Sequence, residues 1–214
     1  MLDHGPLFHS VGECGIIEWT ASRYAHTVVH ICGQVRRGDA PRLGGTMADG
    51  GSSVSERLVD RLARGGVTLA AYLPDSVLLP ITATLERDET IRTIVCSRED
   101  EGMAIAAGAS LAGGLPVVLM EGSGVGLGGL ILARSLLQRS GFLLIASHSL
   151  ALGEPFDYHG ASRLAGSGVL DGLHIPYVVP RSADELVDAV EHALVTVVGQ
   201  RSVVGILVPP YLLA

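Results

Sequence analysis

Residues 91–120 read I-R-T-I-V-C-S-R-E-D-E-G-M-A-I-A-A-G-A-S-L-A-G-G-L-P-V-V-L-M, and their reading decides the fold. Ile91–Cys96 is a short β-branched run that predicts a strand. The acidic turn Arg98-Glu99-Asp100-Glu101 opens a helix of small residues that runs to Leu111 and is closed by Gly113-Gly114. Val117–Met120 is a second apolar strand. Strand, helix and strand in this order form a crossover unit, which places the two strands parallel.

Working outward, the same alternation continues in both directions. Upstream, Ser53-x-x-Glu56 is a capping box that starts an amphipathic helix with Leu58, Val59, Leu62 and Ala63 on its apolar face, stopped by Gly65-Gly66. Val67–Leu73 is a strand ending at Pro74, followed by a helix over about 76–86. Downstream come a Gly-rich loop, a helix at about 127–138, the strand Phe142–Ser147 and a loop to about 160. A helix near 161–171, the strand Ile175–Val179, a helix at 182–198 and the strand Val203–Val208 complete the pattern. Near-continuous apolar strands separated by helices predict an α/β fold: a doubly wound, mostly parallel six-stranded sheet with helices on both faces. Ligands of such sheets bind at the carboxyl ends of the strands. The loops there are Pro74-Asp75-Ser76, Arg98–Gly102, Glu121–Gly129 and His148–Gly160.

Composition narrows the function. Of 214 residues 48% are hydrophobic and 17% charged, enough apolar surface to build a core and exclude disorder as the main state. Twenty-two acids against fifteen bases, a net charge of −7, argue against a nucleic-acid partner. All fifteen bases are Arg, so Schiff-base enzymes and G-x-x-x-x-G-K phosphate loops are excluded. Three scattered cysteines, Cys14, Cys32 and Cys96, do not form a disulfide framework or a closed zinc site. There is neither an apolar run of membrane-spanning length nor a secretory signal, and a cytoplasmic location is expected.

Residues 1–46 differ from the rest. They hold four of the eight His and the only Trp, show no lasting periodicity, and end in the linker-like R-R-G-D-A-P-R-L-G-G at 36–45. They are expected to be a loosely ordered N-terminal extension, with the domain proper at 47–214 and M-A-D-G-G-S-S (47–53) a natural start for a polypeptide.

Three features bear on chemistry. Gly124-Val125-Gly126-Leu127-Gly128-Gly129 fits the dinucleotide pattern G-x-G-x-x-G, but lies outside the first strand–helix–strand unit and lacks the acid that would hold a ribose. Ser123, with Asp157 or Asp171 and His159 or His174 downstream, has the order of a hydrolase triad, but Glu121 and Val125 flank it instead of two glycines. Glu99, Asp100 and Glu101 can be simple helix-terminal charges. Yet the helix they open, Gly102–Ala109, is apolar on nearly every face, so it is expected to be buried and to carry at least one of these acids into an enclosed space.

Y-L-P-D-S-V-L-L-P (72–80), S-R-E-D-E-G-M-A-I-A-A-G-A (97–109) and V-V-L-M-E-G-S-G-V-G (117–126) stand at familiar spacing, with G-E-P (153–155) and L-H-I-P-Y (173–177) following. Together they resemble the pyrimidine-binding domain of thiamine diphosphate-dependent 2-oxoacid decarboxylases, nearest the sulfopyruvate and phosphonopyruvate branch, over about residues 55–210. The resemblance implies roles residue by residue. Glu101 takes the place of the helix-opening glutamate that hydrogen-bonds the aminopyrimidine and drives it to the imino tautomer, for which burial should raise its pKa. Asp75 matches the active-site aspartate of the P-D-S turn, with Ser76 beside it at the substrate. His159 lies roughly where related enzymes place an active-site histidine. Gly122, Ser123 and Gly124 fall in the family's cofactor loop.

That loop departs from the family's Q-N-S-G-L-G-N: two Asn are replaced and Glu121 stands where the family has Gln, which leaves the choice of oxoacid open. The chain also has no Asn and no G-D-G, the elements with which the family's other domain holds Mg²⁺ and diphosphate. The resemblance therefore implies a split enzyme. This chain would be the pyrimidine-domain subunit with no metal ligands of its own, and thiamine diphosphate and Mg²⁺ would be completed by a diphosphate-binding beta subunit. The alternatives are a non-catalytic or regulatory subunit of the same fold, a Rossmann-like dehydrogenase or a serine hydrolase.

Overall fold

The computed structural model describes residues 52–149 and 156–213. The expectation for residues 1–46 lies outside them. In chain order the elements are α1 (Val54–Arg64), β1 (Leu69–Tyr72), α2 (Leu79–Leu85), β2 (Arg92–Val95), α3 (Glu99–Leu111), β3 (Pro116–Met120), α4 (Gly122–Leu127) and α5 (Gly129–Gln138). They continue with β4 (Leu143–Ser147), a 3₁₀ turn at Asp157–His159, α6 (Gly160–Gly172), β5 (Tyr177–Val178), α7 (Ala183–Gln200), β6 (Val204–Val208) and a last 3₁₀ turn at Pro210–Leu212.

The six strands form one sheet in the order β2-β1-β3-β4-β6-β5, and every pairing is parallel. The central strands β3, β4 and β6 are almost wholly apolar because both faces are covered, whereas the edge strand β2 leaves Arg92 and Val95 exposed. Along β3, Val117 and Leu119 join a core that contains Leu58, Leu62, Ile81, Leu186 and Val190 of α1, α2 and α7. Val118 and Met120 join the opposite core, with Met103, Ala106, Val125, Leu132 and Leu170 of α3 to α6. This period-two division of one strand between two cores is the signature of a doubly wound sheet.

Local chemistry sets the boundaries. At α1 both halves of the expected capping box are made: Ser53 Oγ accepts from the Glu56 amide at 3.2 Å, and Glu56 Oε2 accepts from the Ser53 amide at 2.8 Å. Gly66, at φ +88°, takes the left-handed conformation that turns the chain into β1. The helix expected at 76–86 is shorter, because the Asp75 side chain holds the amides of Val77 and Leu78 in a turn and the helix starts only at Leu79. The strand expected at 175–179 shrinks to two residues between Pro176 and Pro180, neither of which can donate to a ladder.

Two expectations are corrected. The Gly-rich stretch after β3 is not a loop: a short helix begins at Gly122, with Glu121 at the position before it and no side-chain cap. The helix α3 is not enclosed: Gly102, Met103, Ala106 and Ala107 are buried, while Ala104, Gly108 and Leu111 are exposed. A helix of Ala, Gly and Ile carries too little contrast between its faces to show which one packs. No described helix is long and apolar enough to cross a membrane.

Candidate active site

The sheet order reverses its winding between β1 and β3: β2 lies on one side of β1, and β3 and the later strands on the other. At such a switch point the loops leaving adjacent strands diverge and open a crevice at their carboxyl ends. Asp75 follows β1 and Glu121 follows β3, so the topology brings two carboxylates to this crevice. They line a cavity of about 480 Å³ with Ser76, Ser147, His148, Ser149, His159 and Ser162.

Each carboxylate is held by the chain. Asp75 Oδ1 accepts from the amides of Val77 at 2.9 Å and Leu78 at 2.8 Å, and Oδ2 accepts from Ser147 Oγ at 3.1 Å. Burial pushes the Asp75 carboxyl above the usual carboxylate range; the charge of Glu121 adds to this, and the three hydrogen bonds oppose it. Glu121 Oε1 accepts the hydroxyl hydrogen bond of Ser162 from α6. His148 and Ser149, both 8% exposed, follow the last residue of β4. The His148 amide donates to the Val208 carbonyl at 2.8 Å and so extends the β4–β6 pairing, while its ring Nδ1 is buried without a hydrogen-bond partner among the described residues. Burial pushes the His148 imidazole down, and the nearby Arg163 charge pushes the same way. His159, on the 3₁₀ turn, meets the Phe156 ring edge-on at 5.5 Å. A carboxyl with a raised pKa in a cavity that also holds a second carboxylate and two imidazoles keeps its proton more readily than an ordinary aspartate, a property suited to acid–base chemistry.

Of the residues singled out in the sequence, Asp75, Ser76, His159 and Glu121 thus meet in one cavity. Gly122, Ser123 and Gly124 do not line it; they form the first turn of α4. A Cβ on Gly122 would lie 2.5 Å from the Ser147 carbonyl oxygen, and one on Gly124 would lie 2.1 Å from Glu99 Cγ. The close approach these glycines permit is made by the chain's own atoms, which leaves no cradle for a dinucleotide pyrophosphate. Nor does Ser123 face the histidines of the cavity, as a hydrolase nucleophile would.

Glu101 stands apart and requires a correction. It is exposed on the first turn of α3, where its Oε2 accepts from the Ser97 amide at 2.9 Å and from Ser97 Oγ at 3.0 Å. These hydrogen bonds lower its pKa, the reverse of the expected direction, and none of the described residues covers it. Asp100 pairs with Arg98 at 3.0 Å. Glu99 is the acid that leans inward, over Gly124.

Sequence reasoning gave no role to Ser147, His148, Ser149 or Ser162. A signal was present for the first three: the apolar strand L-L-I-A ends abruptly in S-H-S at the carboxyl edge, where ligands bind. Among the described residues no group of three or more His, Cys, Asp or Glu stands together to hold a metal ion.

Comparison with known proteins bears on this geometry. Residues 52–150 match the thiamine pyrophosphate enzyme N-terminal TPP binding domain. The chain is 30% identical over 132 residues to the sulfopyruvate decarboxylase subunit alpha of Methanothermobacter thermautotrophicus, covering 61% of this chain and 80% of that one. It is 27% identical over 146 residues to the sulfopyruvate decarboxylase subunit alpha of Methanococcus maripaludis, covering 66% and 85%. Over 69 residues, 32% of this chain and 17% of the relative, it is 39% identical to the phosphonopyruvate decarboxylase of Streptomyces viridochromogenes. With an all-parallel doubly wound sheet, a carboxylate-lined crevice at its switch point and an alpha subunit matched over most of its length, the chain belongs to the family of thiamine diphosphate-dependent decarboxylases that includes the sulfopyruvate decarboxylase alpha subunits.

Proposed function

We propose that the chain is the pyrimidine-domain subunit of a heteromeric decarboxylase acting on a small 2-oxoacid such as sulfopyruvate or phosphonopyruvate. The observation that carries this reading is the pairing of two features on one edge of the sheet. One is the Asp75–Glu121–His159 cavity, and the other is the exposed Glu101 carboxylate, fixed by Ser97 and open to whatever docks there.

These residues fit the pyrimidine end of thiamine diphosphate. Cover by a partner subunit would raise the pKa of this oriented surface carboxyl, which could then donate a hydrogen bond to a ring nitrogen that arrives from outside the chain. When bound, thiamine diphosphate supplies the electron sink that makes loss of carbon dioxide from a 2-oxoacid possible. Glu101 would hold a proton on its own carboxyl, facing the pyrimidine ring, once a partner subunit covers it. Asp75, with its raised pKa, holds or releases a proton at Oδ2 under the control of Ser147, and His159 and Ser76 border the substrate space. Ser123, partly exposed on the first turn of α4, is the member of the Gly122–Gly124 group able to reach the cofactor. The diphosphate and Mg²⁺ belong to a beta subunit, a reading supported by the lack of Asn and G-D-G in this chain and by relatives named as alpha subunits. A cytoplasmic setting goes with it.

The test is exchange of the cofactor C2 proton, followed by NMR in the assembled two-subunit complex. Glu101→Gln should keep the fold and slow exchange by roughly 10²–10⁴-fold, the scale of lost acid–base catalysis. Equal rates for variant and wild type would reduce Glu101 to a helix-terminal charge and remove the proposal's centre.

A further inference from the structure

The substrate class proposed above is a dianion, yet the cavity assigned to it is lined by two carboxylates, Asp75 and Glu121. The hydroxyl protons of Ser147 and Ser162, which could have met an anion, are both directed at those carboxylates. Neither of these two hydroxyls is free to meet an entering acid group, so a donor elsewhere in the cavity wall would have to do so. His148 lines the same cavity, is only 8% exposed, and has a ring Nδ1 that is buried without a hydrogen-bond partner among the described residues. A buried polar nitrogen left unpaired is costly, and in a cavity wall it marks a place where a ligand completes the bonding. Its backbone is fixed by the hydrogen bond from the His148 amide to the Val208 carbonyl, so the ring is anchored to the end of β4 rather than carried on a free loop.

We infer that His148 is a substrate-binding residue whose Nδ1 hydrogen-bonds an acid-group oxygen of the 2-oxoacid. The inference rests on the decarboxylase reading for the identity of the ligand, but on the cavity geometry for the residue. Among the described residues, the titratable groups that share the cavity with the ring are Asp75 after β1, Glu121 at the start of α4 and His159 on the 3₁₀ turn, and the charge of Arg163 on α6 acts on it from nearby. In the free protein, burial and Arg163 both push the ring's pKa down. An oxoacid anion placed against Nδ1 opposes both effects, so binding favours the protonated ring and tightens as the pH falls.

The experiment uses the full chain with its beta subunit, ¹⁵N-labelled at histidine and without thiamine diphosphate, so that no turnover occurs. Sulfopyruvate is the probe, and exposed His192 on α7 is the internal control. Added sulfopyruvate should move the His148 ring nitrogens towards imidazolium shifts and raise the titration midpoint of that ring, with His192 unmoved. In the cofactor-loaded complex, His148→Gln keeps a hydrogen-bonding side chain but cannot carry the charge. It should raise the KM for sulfopyruvate roughly 10- to 100-fold, the scale of a lost hydrogen bond to a charged group, and flatten the KM–pH profile, with kcat changed less. A wild-type His148 resonance that does not respond to sulfopyruvate, in a complex shown separately to bind thiamine diphosphate, overturns this inference alone. Failure of the wild-type complex to bind thiamine diphosphate overturns the decarboxylase reading, and this inference with it.

Discussion

Gly122 ties the fold to the cavity, and Gly122→Ala tests that tie. A Cβ there would lie 2.5 Å from the Ser147 carbonyl oxygen and 3.0 Å from the Ser162 carbonyl oxygen. Both are backbone atoms, so no rotamer change relieves the contact, and α4 must move away from β4 and α6. Overpacking of this kind costs about 1–3 kcal/mol. The better helix propensity of Ala returns at most about 1 kcal/mol, less at a first-turn position. A net loss of about 1–2 kcal/mol, at ~2–4 °C per kcal/mol for a domain of this size, lowers Tm by roughly 2–8 °C. Gly108→Ala is the matched contrast. It sits mid-helix in α3, where a Cβ would meet nothing within 4 Å, so Ala should raise stability by about 0.5–1 kcal/mol. Thermal unfolding of both variants, followed by circular dichroism at one scan rate, gives the comparison. A Gly122→Ala variant melting at or above wild type, or a Gly108→Ala variant melting below it, would refute the packing argument.

Ser53→Ala removes one half of the α1 capping box and should cost about 1 kcal/mol, with Ser53→Gly costing only a few tenths; urea unfolding midpoints of the two variants check this order. Asp75 has a folded pKa above its unfolded value, so the native state holds the extra proton and stability falls as pH rises from the ordinary aspartate pKa through the raised one. Asp75→Asn should abolish that loss, leaving wild type progressively less stable than the variant as pH rises through the window; a wild-type advantage that grows with pH would contradict the burial of this carboxyl. Glu99→Gln keeps the shape that lies over Gly124 and should leave C2-proton exchange in the assembled complex near wild type, unlike Glu101→Gln; a loss as large as that of Glu101→Gln would move the proton-handling role to Glu99.

What the sequence made legible is what depends on neighbours along the chain. The run Val117–Met120 has no polar residue because both of its faces are buried, and that alone announces a covered parallel strand. The capping box at Ser53 and Glu56 closes over three residues, so its two hydrogen bonds could be read directly from residue types and spacing. Asp75 and Glu121 were recognisable as carboxylates at strand ends, where the doubly wound fold gathers its chemistry.

Tertiary structure alone decided which of these groups meet, which are covered, and by what. Asp75 finds Ser147 across 72 residues, and Glu121 finds Ser162 across 41. Such pairs follow from the order β2-β1-β3-β4-β6-β5, which no local pattern encodes, since any parallel strand can pair with any other at little difference in propensity. For the same reason Glu99, Asp100 and Glu101 look equivalent in sequence. Yet Glu99 turns inward over Gly124, Asp100 pairs with Arg98, and Glu101 stays exposed on Ser97. Carboxylates one position apart on a helix point about 100° apart, so the placement of α3 against α4 gives each a different surrounding and a different charge behaviour.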